Sequence, residues 1–269
     1  MKKLVICGDS FNAGIGCTDL QTQPYGVLLA EKLGMELVML ARGSSSNFTT
    51  HMQANYAAQM DPRPDVVIIG STSWDRVEWL AEGNDHVPYP MIASSLNYHL
   101  YPPHHGAHWD NSGKPAPFFM DGRPDYNPVV LSEQVSGIDD YLQTLKRKDG
   151  SENYYKRLHN EPKAKLELIT RYYTEIFDGP IKKHYDAGIL LKAYITVKKQ
   201  GIRCIVLSDD AELLSLIPRE DIHHMNWFTL SQTYPDTIGT MHASEEAHDI
   251  VAWQLFRKLS TGLNADSDK

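Results

Sequence analysis

The chain has 269 residues, 42% of them apolar and 22% charged, and a formal net charge of −8. That length and balance suit one globular α/β domain with a sizeable insertion and exclude wholesale disorder. The acidic balance, without a basic run, argues against a nucleic-acid surface, and no stretch nears the roughly 18 consecutive apolar residues of a membrane span.

Leu4-Val5-Ile6-Cys7 reads as a short buried strand that runs into Gly8-Asp9-Ser10-Phe11. Tyr25 to Leu33 carries apolar residues at helical spacing, and Gly34 is placed to cap it. Glu36 to Leu40 is a second strand, and His51 to Met60 a helix that stops before Pro62 and Pro64. Asp65 to Gly70 is a third strand, apolar enough to be covered on both faces as parallel strands are. Trp74-Asp75-Arg76 followed by Glu78-Trp79 reads as the start of a helix, with Val77 and Leu80 on its apolar face.

The strand–helix alternation then stops. Residues 82–165 are rich in Pro, Tyr, His, Asn and Asp, and a structureless loop of that length does not suit a compact domain. The expectation is an inserted lid or subdomain within a single domain spanning 1–263. Leu166 to Phe177 and Ala187 to Lys199 look helical, and Gly201 to Ser208 returns to the pattern of a cap followed by a buried strand. After His223-His224-Met225 a variable loop is expected, then a closing amphipathic helix from Ala243 to Leu259. The polar tail 264–269 is expected to be disordered.

Met1-Lys2-Lys3 precedes only four apolar residues, too few for a secretory leader, and the three cysteines (Cys7, Cys17, Cys204) lack metal-like spacing. A reducing, cytoplasmic setting is therefore expected, with Cys7 and Cys204 as small buried hydrophobes.

A hydroxyl carried on a turn directly after a buried strand lies at the carboxyl edge of a sheet, where ligands and chemistry collect. Serine is a poor nucleophile at neutral pH unless a base takes its proton as the new bond forms. For Ser10 the candidate base is His242, on the loop before the closing helix; His248, inside that helix, reads as a packing or surface residue.

Four separated blocks carry a resemblance to the SGNH (GDSL-type) hydrolase superfamily. They are Gly8-Asp9-Ser10-Phe11 after strand one, Leu40 to Asn47 after strand two, Val67 to Ser73 on and after strand three, and His242 to His248 before the closing helix. The resemblance implies a three-layer α/β/α, flavodoxin-like fold with a central parallel sheet and a long insertion after the third strand. It implies a serine esterase working through an acyl-enzyme, with Ser10 as nucleophile and His242 as general base and then acid. The backbone N–H groups of Ser10 and of Ser44, or of Gly43 beside it, would hold the oxyanion. Neither cofactor nor metal is implied, and the partner would be a small-molecule or carbohydrate ester.

The chain departs from the family pattern in two places. The asparagine of the third block is replaced by Thr72 or Ser73, whose hydroxyls reach less far than an amide. The aspartate three residues before the histidine is replaced by Gly239. The nearest carboxylate, Asp236 six residues before, is the candidate third catalytic residue if the loop folds back to the ring, with a backbone carbonyl as the alternative that orients His242. These departures keep a second reading open, a non-catalytic SGNH-like binding or assembly protein.

Other clusters have blander readings. His104, His105 and His108 with Asp110 suggest a metal site, but Pro102, Pro103 and Gly106 deny the helix that would align them, so a solvated loop is expected. His223-His224 is a weaker candidate of the same kind. The insertion aromatics, Tyr89 to Tyr126, could stack on sugar rings but fit a small local core better. Arg42 and Arg76 could bind a carboxylate or phosphate, with structural pairing the default.

Overall fold

The structure is a computed structural model that describes residues 1–42, 45–74, 76–80, 91–94, 178–237 and 242–263. The elements in chain order are β1 (Lys3–Cys7), α1 (Ser10–Ala13), α2 (Tyr25–Leu33), β2 (Glu36–Met39), α3 (Asn47–Gln59) and β3 (Val66–Gly70). A hairpin of β4 (Val77–Leu80) and β5 (Met91–Ser94) follows. After it come α4 (Gly179–Lys198), β6 (Arg203–Ser208), a 3₁₀ turn at Arg219–Asp221, β7 (Ile222–His224), α5 (Trp227–Thr233) and α6 (Glu245–Leu263).

Five strands form one parallel sheet in the order β2-β1-β3-β6-β7. Successive side chains along a strand point to opposite faces. Leu4, Ile6, Val66, Ile68, Ile205 and Leu207 therefore meet α2 and α6, through Leu29, Val251, Leu255 and Leu259. Val5, Cys7, Val67, Ile69, Cys204 and Val206 meet α3 and α4, through Ala54, Ala57, Leu190, Ala193 and Val197. The result is the expected three-layer α/β/α sandwich, and its strand order is that of the flavodoxin-like arrangement.

Several sequence expectations are corrected. The stretch after β3 is the strand β4, paired antiparallel with β5 from Val77↔Ser94 to Leu80↔Met91, and not a helix. Val and Trp suit a pleated strand, and a partner strand was available. The stretch expected as a loop after His223-His224-Met225 follows the edge strand β7 and contains α5, whose cap is Asn226 accepting from the Thr229 N–H. Three helices also start away from the expected residue. α3 begins at Asn47, because the Ser46 hydroxyl accepts from the Phe48 and Thr49 N–H groups. α4 begins at Gly179, capped by Asp178 with Pro180 in its first turn. α6 begins at Glu245 and runs on to Leu263. The expected helix over 166–177, the tail 264–269 and the insertion 82–165 apart from β5 lie outside the described residues.

Candidate active site

Strands β1 and β3 are neighbours although β2 lies between them in sequence, so the chain crosses over here. Such a switch point opens a crevice at the carboxyl edge. Two loops leave it, Gly8-Asp9-Ser10 from β1 and Ser71-Thr72-Ser73 from β3. Gly8 adopts φ +148°, and a Cβ there would fall 2.5 Å from the amide of Asn12, so only glycine fits the turn. The Gly8 peptide is clamped by buried Gln53, whose Oε1 accepts the Gly8 N–H (2.6 Å) and whose Nε2 donates to the Gly8 carbonyl (3.2 Å).

Asp9 then caps α1 and gathers donors from its own turn and from the loop after β3. Its Oδ1 accepts from the Phe11 N–H (3.1 Å) and Asn12 Nδ2 (3.0 Å). Its Oδ2 accepts from the Thr72 hydroxyl (2.8 Å) and from Arg76 Nη1 (3.3 Å). Ser10 is the first residue of α1 and is buried, with 6% of its surface exposed. The loop after β2 is tied to the loop after β3 by Asn47. Its Nδ2 donates to the Thr72 carbonyl (3.1 Å), and its Oδ1 accepts the Thr72 N–H (2.9 Å). The same Nδ2 reaches Asp186 Oδ2 on α4 (2.8 Å), while Lys182 Nζ holds Oδ1 of that carboxylate (2.5 Å).

The late part of the chain closes on this turn. Gly16 has φ +115°, and a Cβ there would meet the Ala243 carbonyl oxygen at 2.5 Å and the His242 Cβ at 2.8 Å. The loop carrying His242 therefore rests directly on backbone just past α1. The His242 ring lies 4.6 Å from the Phe11 ring, centroid to centroid, and the residue is buried. Asp236 folds back onto it: Asp236 Oδ2 accepts the His242 backbone N–H (2.7 Å), and the Asp236 N–H donates to the His242 carbonyl (3.0 Å). An isolated bridge between Pro235 and Ala243 extends this clasp.

Behind His242 stands His248, fully buried and flanked by Tyr25 (ring centroids 6.0 Å apart) and Trp227 (5.0 Å). Burial, with a smaller push from His242, lowers its pKa from 6.5 to about 3, so the ring is neutral. All three cysteines are free and buried. Burial, with Glu245 and Asp19 adding to it, pushes the Cys17 thiol up to about 12, and desolvation likewise raises Cys7. None of them is a thiolate nucleophile at neutral pH.

The structure thus brings the segment bearing Ser10 beside the segment bearing Asp236 and His242, and places Thr72 and Ser73 at the same sheet edge. Gly43 and Ser44 lie outside the described residues, between Arg42 and Ser45. The one proton of the Thr72 hydroxyl goes to Asp9, whereas Ser73 is exposed. Arg76 is a buried pairing residue. The sequence reading did not find Gln53, Asn47 or Asp186 as parts of this network. Asp186 had a visible signal, a carboxylate in the stripe with Ala187, Leu190, Tyr194 and Val197 that α4 buries.

Among the described residues no group of His, Cys, Asp or Glu is placed to hold a metal ion, and His223 instead pairs with Gln254 (3.2 Å). His104, His105, His108 and Asp110 lie outside those residues. Among the described residues no helix is long and apolar enough to cross a membrane.

No known family profile matches the chain, and no curated protein matches it. Solved structures similar to it include a salicylyl-acyltransferase from a tetracycline biosynthetic pathway, with 10% identity, a TM-score of 0.41 and 97% of this chain covered. Another is an acetyl xylan esterase from the rumen bacterium Butyrivibrio proteoclasticus, with 12% identity, a TM-score of 0.46 and 98% covered. The chain spans 55% of the length of the first and 64% of the second. The fold assignment rests on the sheet order and its layers.

Proposed function

We propose that this chain is a serine hydrolase of carboxylic esters, working through an acyl-enzyme on Ser10. The observation that carries the reading is the contact between the chain's two ends, Gly16 and Phe11 against His242 and Ala243. That contact sets His242 beside the segment that begins at Ser10, 232 residues earlier in the sequence, which supports His242 as the base.

In this reading His242 takes the Ser10 proton as Oγ bonds to the substrate carbonyl carbon, and the carbonyl oxygen gains the negative charge. The backbone N–H groups of Ser10 and of Ser44 or Gly43, with the Ser73 hydroxyl, hold that charge. The tetrahedral centre collapses, the C–O bond to the alcohol breaks, and His242 returns the proton to the leaving oxygen. Water, deprotonated by His242, then cleaves the acyl-Ser10 ester. Asp236 fixes the loop that presents His242. The step balance requires only ester and water, and the substrate class is a small-molecule or carbohydrate ester.

Two observations favour a second reading, a binding or assembly protein on the same fold. The Thr72 hydroxyl is committed to Asp9, and Gly239 stands where the family has its aspartate. A fluorophosphonate probe and p-nitrophenyl acetate separate the two. Under the first reading the protein is labelled and turns over, and Ser10→Ala loses roughly 10³-fold or more of that activity. The lack of both labelling and turnover leaves the binding protein, and turnover that survives Ser10→Ala removes Ser10 as the nucleophile.

A further inference from the structure

Arg76 is a buried cation where these loops meet. Its Nη1 donates to the Ser45 carbonyl (2.8 Å) and contacts Asp9 Oδ2 (3.3 Å), with the two paired side chains 9% and 5% exposed. An ion pair this deep is a poor source of stability, because desolvating both charges offsets most of their attraction. Its value is geometric. The two N–H bonds on one guanidinium nitrogen lie in a fixed plane, so each acceptor is held in a set direction. The acceptors belong to two parts of the proposed centre. Asp9 caps the turn that begins at Ser10, and Ser45 follows directly on Gly43-Ser44, the segment expected to bear the second oxyanion donor.

We propose that Arg76 is a positioning residue for this site. By bridging Asp9 and the Ser45 carbonyl, it ties the turn that begins at Ser10 to the end of the loop after β2. The proposal rests on the serine-hydrolase reading above. Arg76 itself touches no reacting atom; it acts through the two groups it holds. A misplacement of about 1 Å between reacting groups lowers the rate about 10²-fold, so Arg76 acts on kcat rather than on KM.

The test uses the full chain with Arg76→Met and Arg76→Lys beside Ser10→Ala. It reads kcat and KM on p-nitrophenyl acetate, the fluorophosphonate labelling rate, and amide exchange of peptides spanning 8–16 and 203–208. For Arg76→Met, kcat and labelling fall about 10²-fold while KM stays within about threefold. Exchange rises over 8–16 and not over 203–208. Arg76→Lys recovers part of kcat, ending about tenfold below the parent, because a rotating ammonium on a shorter stem holds both acceptors less rigidly. A lower melting temperature with unchanged kcat per folded molecule would mark Arg76 as merely structural and overturn the proposal, as would unchanged exchange over 8–16. If Arg76→Met fails to fold, Arg76→Lys decides alone, and an unchanged kcat overturns the proposal. A parent protein that is labelled independently of Ser10, or not at all, removes the hydrolase reading and this proposal together. Ser10-dependent labelling that is insensitive to Arg76 removes only the proposal.

Discussion

The two edges of the parallel sheet treat polar groups in opposite ways. At the carboxyl edge, Asp9, Asn12, Ser45, Asn47, Gln53, Thr72 and Arg76 are buried, none more than 7% exposed. They bond to one another and to backbone between loops distant in sequence. At the amino edge, Lys2, Arg63, Asp65, Gln200 and Arg203 border an open groove of about 550 Å³. Bonds there include Lys3 N–H to Asp65 Oδ2 (2.8 Å) and Arg63 Nη1 to the Gln200 carbonyl (2.9 Å), both exposed. A buried polar group costs free energy unless every donor and acceptor is met, whereas water can replace an exposed partner. A fold needing only stability would fill both edges with apolar side chains. The polar filling of one edge is where the shape of a site is specified.

The largest effect is therefore expected at Gln53. Gln53→Leu removes the acceptor of the Gly8 N–H and the donor to the Gly8 carbonyl and to Ser45 Oγ. Leucine fills similar volume, so the cost is chiefly that of an unmet, buried Gly8 N–H, about 2–4 kcal/mol with the lost bonds included. The shift of the urea midpoint measures it. A loss below about 1 kcal/mol would mean the carboxyl edge is no more demanding than the opposite one.

Much of the apolar frame was legible in the sequence, and little of this polar filling was. Four of the five parallel strands are apolar runs bounded by turn residues, because strands covered on both faces must be. The fifth, β7, has one apolar residue, Ile222, which is buried, while His223 is half-buried and His224 exposed. Over the four residues of β4, Val77 and Leu80 fit a helix while Val77 and Trp79 fit a strand, and so short a segment does not separate the two periods. Ser10 stood out because strand and turn are contiguous. Gln53 and Asn47 did not, since their partners Gly8 and Asp186 lie 45 and 139 positions away. Pairings that distant leave no periodic trace.

A smaller effect, also at the carboxyl edge, depends on pH. His248 Nδ1 accepts the Tyr25 N–H (3.3 Å), so the neutral ring carries its proton on Nε2. The unfolded chain takes up a proton there below about pH 6.5, while the folded chain resists until about pH 3. Stability therefore falls as pH drops through that window, by at most about 1.4 kcal/mol per pH unit from this group, and above it the group contributes no slope. His51 and His223, both lowered first by burial, slope the same way. His248→Asn keeps an acceptor for the Tyr25 N–H and does not titrate. Its urea midpoint should decline less between pH 6.5 and pH 5 than that of the parent. An equal decline would assign the acid limb to other groups and leave His248 without a part in it.

The smallest effect belongs to the amino edge and tests the contrast from its weak side. Asp65→Ala deletes the acceptor of the Lys3 N–H, but that bond is exposed, so water takes the place of the carboxylate. The backbone bond from the Asp65 N–H to the Lys3 carbonyl (2.9 Å) survives, and with it the β1–β3 register from Leu4↔Val66 onward. The change in unfolding free energy should stay within about 0.5 kcal/mol, with any esterase activity unaltered. A loss above about 2 kcal/mol, or a fall in kcat, would show strain passing from the start of β1 along five residues to the turn at its end. The carboxyl edge would then hold its shape only with help from the amino edge, and the buried network would not be sufficient to place Ser10.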